Sequence, residues 1–160
     1  MALLIREIND EYAECAAVIR NSFITVADEF GLTRENAPTN PAFAGADSLF
    51  NMKEKGLKLF GAYLEDACIG FVAIEKAQEG CFYMERLAVL PEYRHNGYGG
   101  ELMDFVFRHV GKCGGAMVSI ALINDNKRLK DWYRNYGFTE TGIKTFKHLP
   151  FDVCFMHKSV

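Results

Sequence analysis

The residues with the clearest capacity for chemistry lie in one turn, EYRHNGYGG, which runs from Glu92 to Gly100. An apolar strand precedes this turn, and a helix with an apolar stripe follows it. Glycines at the start of a helix leave backbone N–H groups uncovered, and the helix dipole adds roughly half a positive charge there. The turn therefore predicts a binding site for an anion, and phosphate suits it best.

Three phosphate-binding patterns compete for this turn. A P-loop needs Gly-Lys-Ser/Thr where the helix begins, whereas this turn ends in Gly-Gly-Glu. A dinucleotide fingerprint needs a third glycine at the position of Leu102. The pattern that remains is R-x-x-G-x-G, formed by Arg94, Gly97 and Gly99.

A charged pair, Glu85 and Arg86, interrupts the strand before the turn. Strand alternation predicts one face with Tyr83, Glu85, Leu87 and Val89, and an opposite face with Met84, Arg86, Ala88 and Leu90. Both faces are mostly apolar, which indicates a central strand covered on both sides. A buried charge is unfavourable unless it is paired or used, so Glu85 is either a catalytic base or the structural partner of a cation such as Arg86.

Length, charge and cysteine usage limit the class of protein. The 160 residues predict a single domain, residues 1–160, and the net charge of −3 excludes nucleic acid and anionic membranes as expected partners. Early charges at Arg6 and Glu7 speak against a signal peptide or membrane span. Five widely spaced cysteines without a C-x-x-C pair predict reduced thiols in a cytoplasmic protein. The histidines lack metal-ligand spacing, so no metal is expected.

The rest of the chain supplies the elements that must position these residues. A strand at 2–8 precedes helical stretches at 9–23, 24–30 and 46–56, with a loose loop at 32–45. Three strands joined by tight turns follow, and the third leads into the glycine turn. A helix, a strand, a helix and two final strands complete the order.

These motifs resemble those of a known family, the GCN5-related N-acetyltransferases. LAVLPEYRHNGYGGELM is similar to the family's R/Q-x-x-G-x-G/A segment, and NDNKRLKDWYRNYGF resembles its asparagine followed by LYxxxGF. From Cys81 onward the resemblance is specific; before it, only the order of elements matches. It implies an α/β fold of the α+β type, with a mixed, mainly antiparallel sheet of about seven strands and helices on both faces. It also implies an enzyme that moves an acetyl group from acetyl-coenzyme A to a primary amine, directly and in a ternary complex.

The resemblance assigns roles to particular residues. The backbone of Leu87 and Val89 would pair with the pantetheine arm as an added strand, and Ala88 between them would also belong to the cofactor site. The diphosphate would be bound by the turn, through Arg94, His95, Asn96, Gly97, Tyr98, Gly99 and Gly100. Asn124 or Asn126 would contact the pantetheine, and Tyr133 would meet the cofactor and protonate the departing sulfur.

Residue chemistry leaves some of these assignments open. Tyr133 shares a helical stripe with Leu129, Trp132 and Tyr136, so the pattern alone also describes a core tyrosine. An alkylammonium with a pKa of ~10.4 is neutral in only about one molecule in a few thousand at pH 7, so Glu85 or a proton-relaying water must act as base. The alternative function is a binding or regulatory domain of the same fold that has lost catalysis.

The acceptor is expected to be a small-molecule amine or a peptide amine. Phe23, Tyr83 and Glu85 would line its pocket, and His148 either faces it or is an exposed turn residue. Five acidic residues, Asp28, Glu29, Glu35, Asp47 and Asp152, either adapt the pocket to a cationic amine or are solvated surface. A homodimer is the default assembly.

Overall fold

The fold is known from a computed structural model that describes residues 2–160. The strands are β1 (Leu3–Glu7), β2 (Lys58–Leu64), β3 (Ala67–Lys76), β4 (Cys81–Val89), β5 (Met117–Ile123), β6 (Thr139–Thr145) and β7 (Asp152–Ser159). The helices are α1 (Tyr12–Phe30), α2 (Ala46–Glu54), α3 (Tyr98–Lys112) and α4 (Lys127–Asn135), with short 3₁₀ turns at Pro41–Phe43 and Pro91–Tyr93.

The strands form one 7-stranded sheet in the order β1-β2-β3-β4-β5-β7-β6. Every neighbouring pair is antiparallel except β4 and β5, which run parallel. A parallel pair needs a crossover connection, and α3 supplies it. Two antiparallel halves therefore meet at one parallel pair, and the fold class expected from the sequence is confirmed.

Helices cover both faces of this sheet. One apolar stripe of α3 is fully buried against β2–β5 and β7, through Leu102, Met103, Val106 and Val110. On the opposite face α1 covers β2–β4, with Cys15, Ala16, Val18 and Ile19 packed in the core there. Burying each large apolar side chain contributes about 1.5–3 kcal/mol, so these two cores fix which strands lie in the middle.

The helical stretches expected at 9–23 and 24–30 form one continuous helix, α1. Neither glycine nor proline occurs within Tyr12–Phe30, and the buried residues Cys15, Ile19 and Ser22 recur at helical spacing. The helix ends where Gly31 takes a left-handed φ of 66°. The loop at 32–45 packs against this end of α1 through Leu32, Ala37 and Ala42.

Strand β4 contains a β-bulge at Arg86 that strand alternation did not predict. Phe71 of β3 pairs with Ala88 and Ala73 pairs with Glu85, so one residue of β3 faces two residues of β4. Arg86 adopts a left-handed conformation with a φ of 56°. The extra residue resets the alternation of every side chain that follows it.

Because of the bulge, residues of β4 that strand alternation predicts on one face lie on opposite faces of the sheet. Glu85 lies opposite Ala73, a residue of the core on the α1 side. Leu87 and Val89 pack instead in the core on the α3 side. The prediction that Glu85, Leu87 and Val89 share a face was therefore wrong, because periodicity cannot detect an inserted residue.

Candidate active site

Strands β4 and β5 pair over three residues each and then separate. The pairs are Cys81–Met117, Phe82–Val118 and Tyr83–Ser119. Beyond them β4 pairs with β3 and β5 pairs with β7, while the two edges that face each other, residues 84–89 and 120–123, form no strand pairs within the described chain. We call this opening the β4–β5 wedge. An extended polar chain can pair with such an open edge.

The backbone of β4 presents alternate groups to the wedge. The amide of Leu90 donates to the carbonyl of Ile69 at 2.9 Å, on the β3 side. Successive strand amides point to opposite edges, so those of Val89 and Leu87 point toward the wedge. Ala88 is only 2% exposed and its backbone groups face β3, so its expected contact with the cofactor stays a prediction.

The glycine turn leads from the wide end of the wedge into α3. Gly97 caps the helix with a left-handed φ of 82°, a conformation that glycine adopts without steric penalty. Its carbonyl accepts the first helical hydrogen bond, from the amide of Glu101 at 3.1 Å. Among residues 2–160 no acceptor is present for the amides from His95 to Gly100. These donors and the helix dipole can hold a diphosphate.

Two glycines of this turn allow α3 and α4 to touch. A Cβ at Gly99 would lie 3.1 Å from the ring of Trp132, and a Cβ at Gly100 would collide with the Tyr136 hydroxyl. The aromatic side of α4, which includes Tyr133, is therefore packed directly against the helix end that carries the open amides.

Arg94 points away from the turn that it was expected to serve. Its guanidinium donates to the Ser22 carbonyl at 2.8 Å, to the Thr25 hydroxyl at 3.3 Å and to the Val89 carbonyl at 3.3 Å. Its amide is also used, donating to Pro91 at 3.2 Å. These acceptors on α1 and β4 hold the guanidinium in the protein without ligand, so the expected contact of Arg94 with the diphosphate stays a prediction. Arg94 anchors the turn to α1.

Glu85 lies on the α1 side of β4, next to the bulge. One carboxylate oxygen, Oε2, is buried without a hydrogen-bond partner in the described chain. Burial and the neighbouring carboxyl group of Glu75 raise the pKa of Glu85 to about 7, against the opposing charges of Arg86 and Lys55. A carboxyl group that titrates near neutrality can accept a proton from an amine.

Sequence reasoning missed Glu75, which lies at the end of β3. It pairs with Tyr83, two residues from Glu85 along β4. The tight turn between β3 and β4 was visible in the sequence, and counting back from it would have brought Glu75 near Tyr83. The bulge made any such register count uncertain beyond that point.

Tyr133 is 8% exposed and packs among aromatic rings on α4 and after it. Its ring lies 5.2 Å from Trp132 and 5.4 Å from Phe138. The hydroxyl donates to no described residue, and burial raises the pKa of Tyr133 above its ordinary value. Tyr133 is therefore a core tyrosine, as its spacing indicates. Its hydroxyl group keeps its proton and donates it to no other described residue.

The two asparagines after β5 have structural partners. Asn126 is 7% exposed, and its side-chain oxygen accepts from the Leu129 amide at 3.2 Å, which caps α4. The Asn124 side-chain oxygen accepts from Lys130 at 2.6 Å. Each keeps its amide NH₂ group as a donor, so contact of either one with a pantetheine amide stays a prediction.

A cleft of about 330 Å³ lies beside the narrow end of the wedge. Its lining includes Tyr83 and Ser119, the last strand pair before the wedge opens, and Phe155 of β7. Tyr83 is 42% exposed here, on the same face as Glu85. The cleft therefore reaches Tyr83, two residues from Glu85 along β4, but Glu85 itself does not line it.

The other predicted acceptor residues lie farther from this cleft. Phe23 is half-buried between the two cores on the α1 side. His148 is exposed in the turn between β6 and β7, where its ring contacts Phe146 at 5.8 Å. That turn lies at the end of the sheet where the wedge opens, since β7 begins opposite the end of β5.

The acidic residues of the first half do not form a pocket. Asp28, Glu35 and Asp47 are exposed, and Glu29 pairs with Arg128 at the surface, at 2.6 Å. Asp152 accepts from the Thr145 hydroxyl at 2.7 Å. The interpretation of these acids as solvated surface therefore agrees with the structure.

Two general features of the described residues complete this picture. Within residues 2–160, no three His, Cys, Asp or Glu side chains are placed to share a metal ion. No helix in this part of the chain combines the length and the apolar composition needed to cross a bilayer.

Comparison with known proteins identifies the class. Residues 23–138 match the sequence profile of the acetyltransferase (GNAT) family. A search of curated proteins found no match. The structure resembles Ard1 from Thermoplasma volcanium, with a TM-score of 0.77, 16% identity and coverage of 100% of this chain and 99% of the other.

Two further solved structures contain a bound ligand. PaiA N-acetyltransferase from Thermoplasma acidophilum, in complex with coenzyme A, matches with a TM-score of 0.76, 18% identity and 100% coverage of both chains. A GNAT family acetyltransferase from Elizabethkingia anophelis with acetyl-CoA bound matches with a TM-score of 0.73, 13% identity and coverage of 99% and 98%. At these identities the likeness establishes the fold.

The family profile spans well over half of the chain, so this protein belongs to the GNAT family of acetyltransferases. The resemblance noted in the sequence and the expected class of enzyme are thereby confirmed.

Proposed function

We propose that the protein transfers an acetyl group from acetyl-coenzyme A to a primary amine, directly and in a ternary complex. The observation that carries this proposal is the β4–β5 wedge, with the open amides of the glycine turn at its wide end and Glu85 beside its narrow end. The two solved relatives that contain coenzyme A or acetyl-CoA support the choice of co-substrate.

The chain offers a group for each part of the co-substrate. The amides from His95 to Gly100 would bind the diphosphate, and the edge at Leu87 and Val89 would pair with the amides of the pantetheine arm. When bound, acetyl-coenzyme A supplies an activated acetyl carbonyl and a thiolate leaving group. Binding along the wedge would bring that carbonyl toward Glu85 and Tyr133.

Glu85 would act as the base of the reaction. The acceptor would enter through the cleft beside Tyr83. An acceptor that arrives as an ammonium first releases one proton to water, and Glu85 then removes a proton from the neutral nitrogen as it attacks. The nitrogen then forms a bond to the carbonyl carbon as the carbon–sulfur bond breaks. Tyr133 would donate its hydroxyl proton to the departing sulfur and take a proton back from water after the reaction. The products are a free thiol and an amide.

The first test is thiol release from acetyl-coenzyme A with a panel of small amines and peptide N-termini. We expect release that depends on the amine. Thermal stabilisation by coenzyme A without any release across the panel would instead favour the alternative, a catalytically inactive acyl-CoA-binding or regulatory domain.

The second test replaces Tyr133 by phenylalanine. General acids commonly contribute 10²–10⁴-fold, so we expect kcat to fall at least about tenfold while coenzyme A affinity stays unchanged. Tyr136→Phe is the matched control, because it removes a hydroxyl from the same helix, at the side that packs on Gly100. Equal kcat values for Tyr133→Phe and the unaltered protein would show that another group protonates the sulfur.

A further inference from the structure

Glu75 is an acidic residue near the proposed base, Glu85. The reaction described above assigns no role to Glu75. It pairs with Tyr83 across the β3–β4 ladder, whereas Glu85 pairs with Ala73. Residues 73 and 75 point to the same face of β3, so Glu75 and Glu85 are diagonal neighbours on one side of the sheet. Diagonal neighbours lie about 7–8 Å apart, within reach of two glutamate side chains.

The register therefore places the two carboxyl groups side by side on the α1 side of the sheet, and Glu75 opposes ionisation of Glu85. One Glu85 oxygen, Oε2, is buried and has no hydrogen-bond partner in the described chain. The orientation of the Glu85 carboxyl group is therefore set by its packing and by its charged neighbours, of which Glu75 is the one that raises its pKa.

We propose that Glu75 is a positioning residue that orients Glu85 and sets the pH at which Glu85 becomes a base. The inference rests on the proposed function, because it assigns a partner to the base of that reaction. In each turnover Glu85 takes up the proton removed from the amine nitrogen and releases it to water after the products leave.

The charges around Glu85 come from three elements. Glu75 on β3 raises its pKa, while Arg86 on β4 and Lys55 at the end of α2 lower it. Burial is the largest cause of the raised pKa, so removal of Glu75 should lower the pKa of Glu85 only part of the way to its ordinary value. Lys55 is exposed, and its removal should have the opposite effect on the pKa of Glu85 from removal of Glu75.

The test measures how kcat/KM depends on pH in several variants. The same amine acceptor is used throughout, so that its own ionisation affects every variant equally. In the unaltered protein we expect an acid limb near pH 7, because activity requires ionised Glu85. Glu75→Gln removes the charge and should move that limb down by about one pH unit. Glu75→Asp restores the charge and should return the limb toward its original position.

Two controls separate this role from a general effect on folding. Lys55→Gln should move the limb upward, since it removes a charge that favours ionised Glu85. Glu79→Gln removes an exposed carboxylate from the β3–β4 turn and should leave the limb unchanged. The Glu85 titration, followed by carbon NMR of labelled carboxyl groups, should shift in the same way without any substrate.

The outcomes distinguish this inference from the proposed function. If Glu85→Gln is inactive but Glu75→Gln leaves both the acid limb and the NMR titration in place, the role of Glu75 is refuted and the function stands. If Glu85→Gln keeps full activity, the assignment of the base fails, and the role of Glu75 fails with it.

Discussion

Glu85 is held in the folded chain in an environment that opposes its charge. Its pKa is raised from 4.5 to about 7, so the folded state binds the proton more tightly than the unfolded state does. Below pH 4.5 the group is protonated in both states and the folded state loses nothing. As the pH rises toward 7, the unfolded state gives up its proton first, and stability falls.

The change Glu85→Gln removes this pH dependence with little change in shape. We expect the variant to match the original stability at pH 4 and to exceed it at pH 8 by up to about 3 kcal/mol, since the pKa rises from 4.5 to about 7 and one pKa unit corresponds to about 1.4 kcal/mol. Denaturant unfolding at both pH values measures the difference. An equal difference at pH 4 and pH 8 would mean that ionisation of Glu85 is not what opposes folding.

Glu85 and Tyr133 could be selected as candidate catalytic residues from the sequence for different reasons. A charge in an apolar strand is unusual by itself, so Glu85 could be selected from local pattern. Tyr133 lies in an aromatic stripe, and only the family resemblance separated it from its neighbours. Arg94 was assigned by motif, but its side chain contacts Ser22, which is 72 positions away in the sequence. No local pattern contains that contact.

At the scale of elements, Arg94 connects the turn between β4 and α3 to helix α1 through hydrogen bonds. Its hydrogen bonds to Ser22 and Thr25 on the helix are present in the protein without any ligand. This arrangement explains how a loop with three glycines can keep its amides directed outward.

We expect Arg94→Gln to destabilise the protein in the absence of ligand by about 2 kcal/mol, because hydrogen bonds from charged groups contribute about 1.5–3 kcal/mol. Arg128→Gln, which breaks an exposed pair with Glu29, should change stability by less than about 1 kcal/mol. Urea unfolding measures both. A variant that loses affinity for coenzyme A while its own stability is unchanged would favour the phosphate-contact role instead.

The bulge at Arg86 shows why element order was easier to predict than element detail. Alternation described β4 correctly as far as Glu85, and the wrong face assignment began after the inserted residue. A bulge forms where a partner strand offers one residue to two, so it depends on β3 as much as on β4.

At the scale of the whole molecule, the sheet is two antiparallel halves joined by three residue pairs of β4 and β5. A ligand in the wedge would contact both halves as well as α3. Hydrogen exchange of backbone amides can map this directly, because groups without acceptors exchange quickly.

With coenzyme A bound, we expect slower exchange at residues 95–100 and at the wedge edge of β4. The amides of β6, at the far edge of the sheet, should be unaffected and serve as the internal reference. Protection that is uniform along the chain, or absent from residues 95–100, would contradict the binding site proposed for the diphosphate.

The sequence by itself determined the order of strands and helices, the glycine turn and the family. These depend on periodicity, on backbone freedom at glycine and on short motifs, which are all local properties. The tertiary structure alone decided the bulge in β4, the anchoring of Arg94 and the diagonal placement of Glu75 beside Glu85. The physical reason is that strand register and helix docking bring together residues that are distant in the chain, and no short segment encodes their distance.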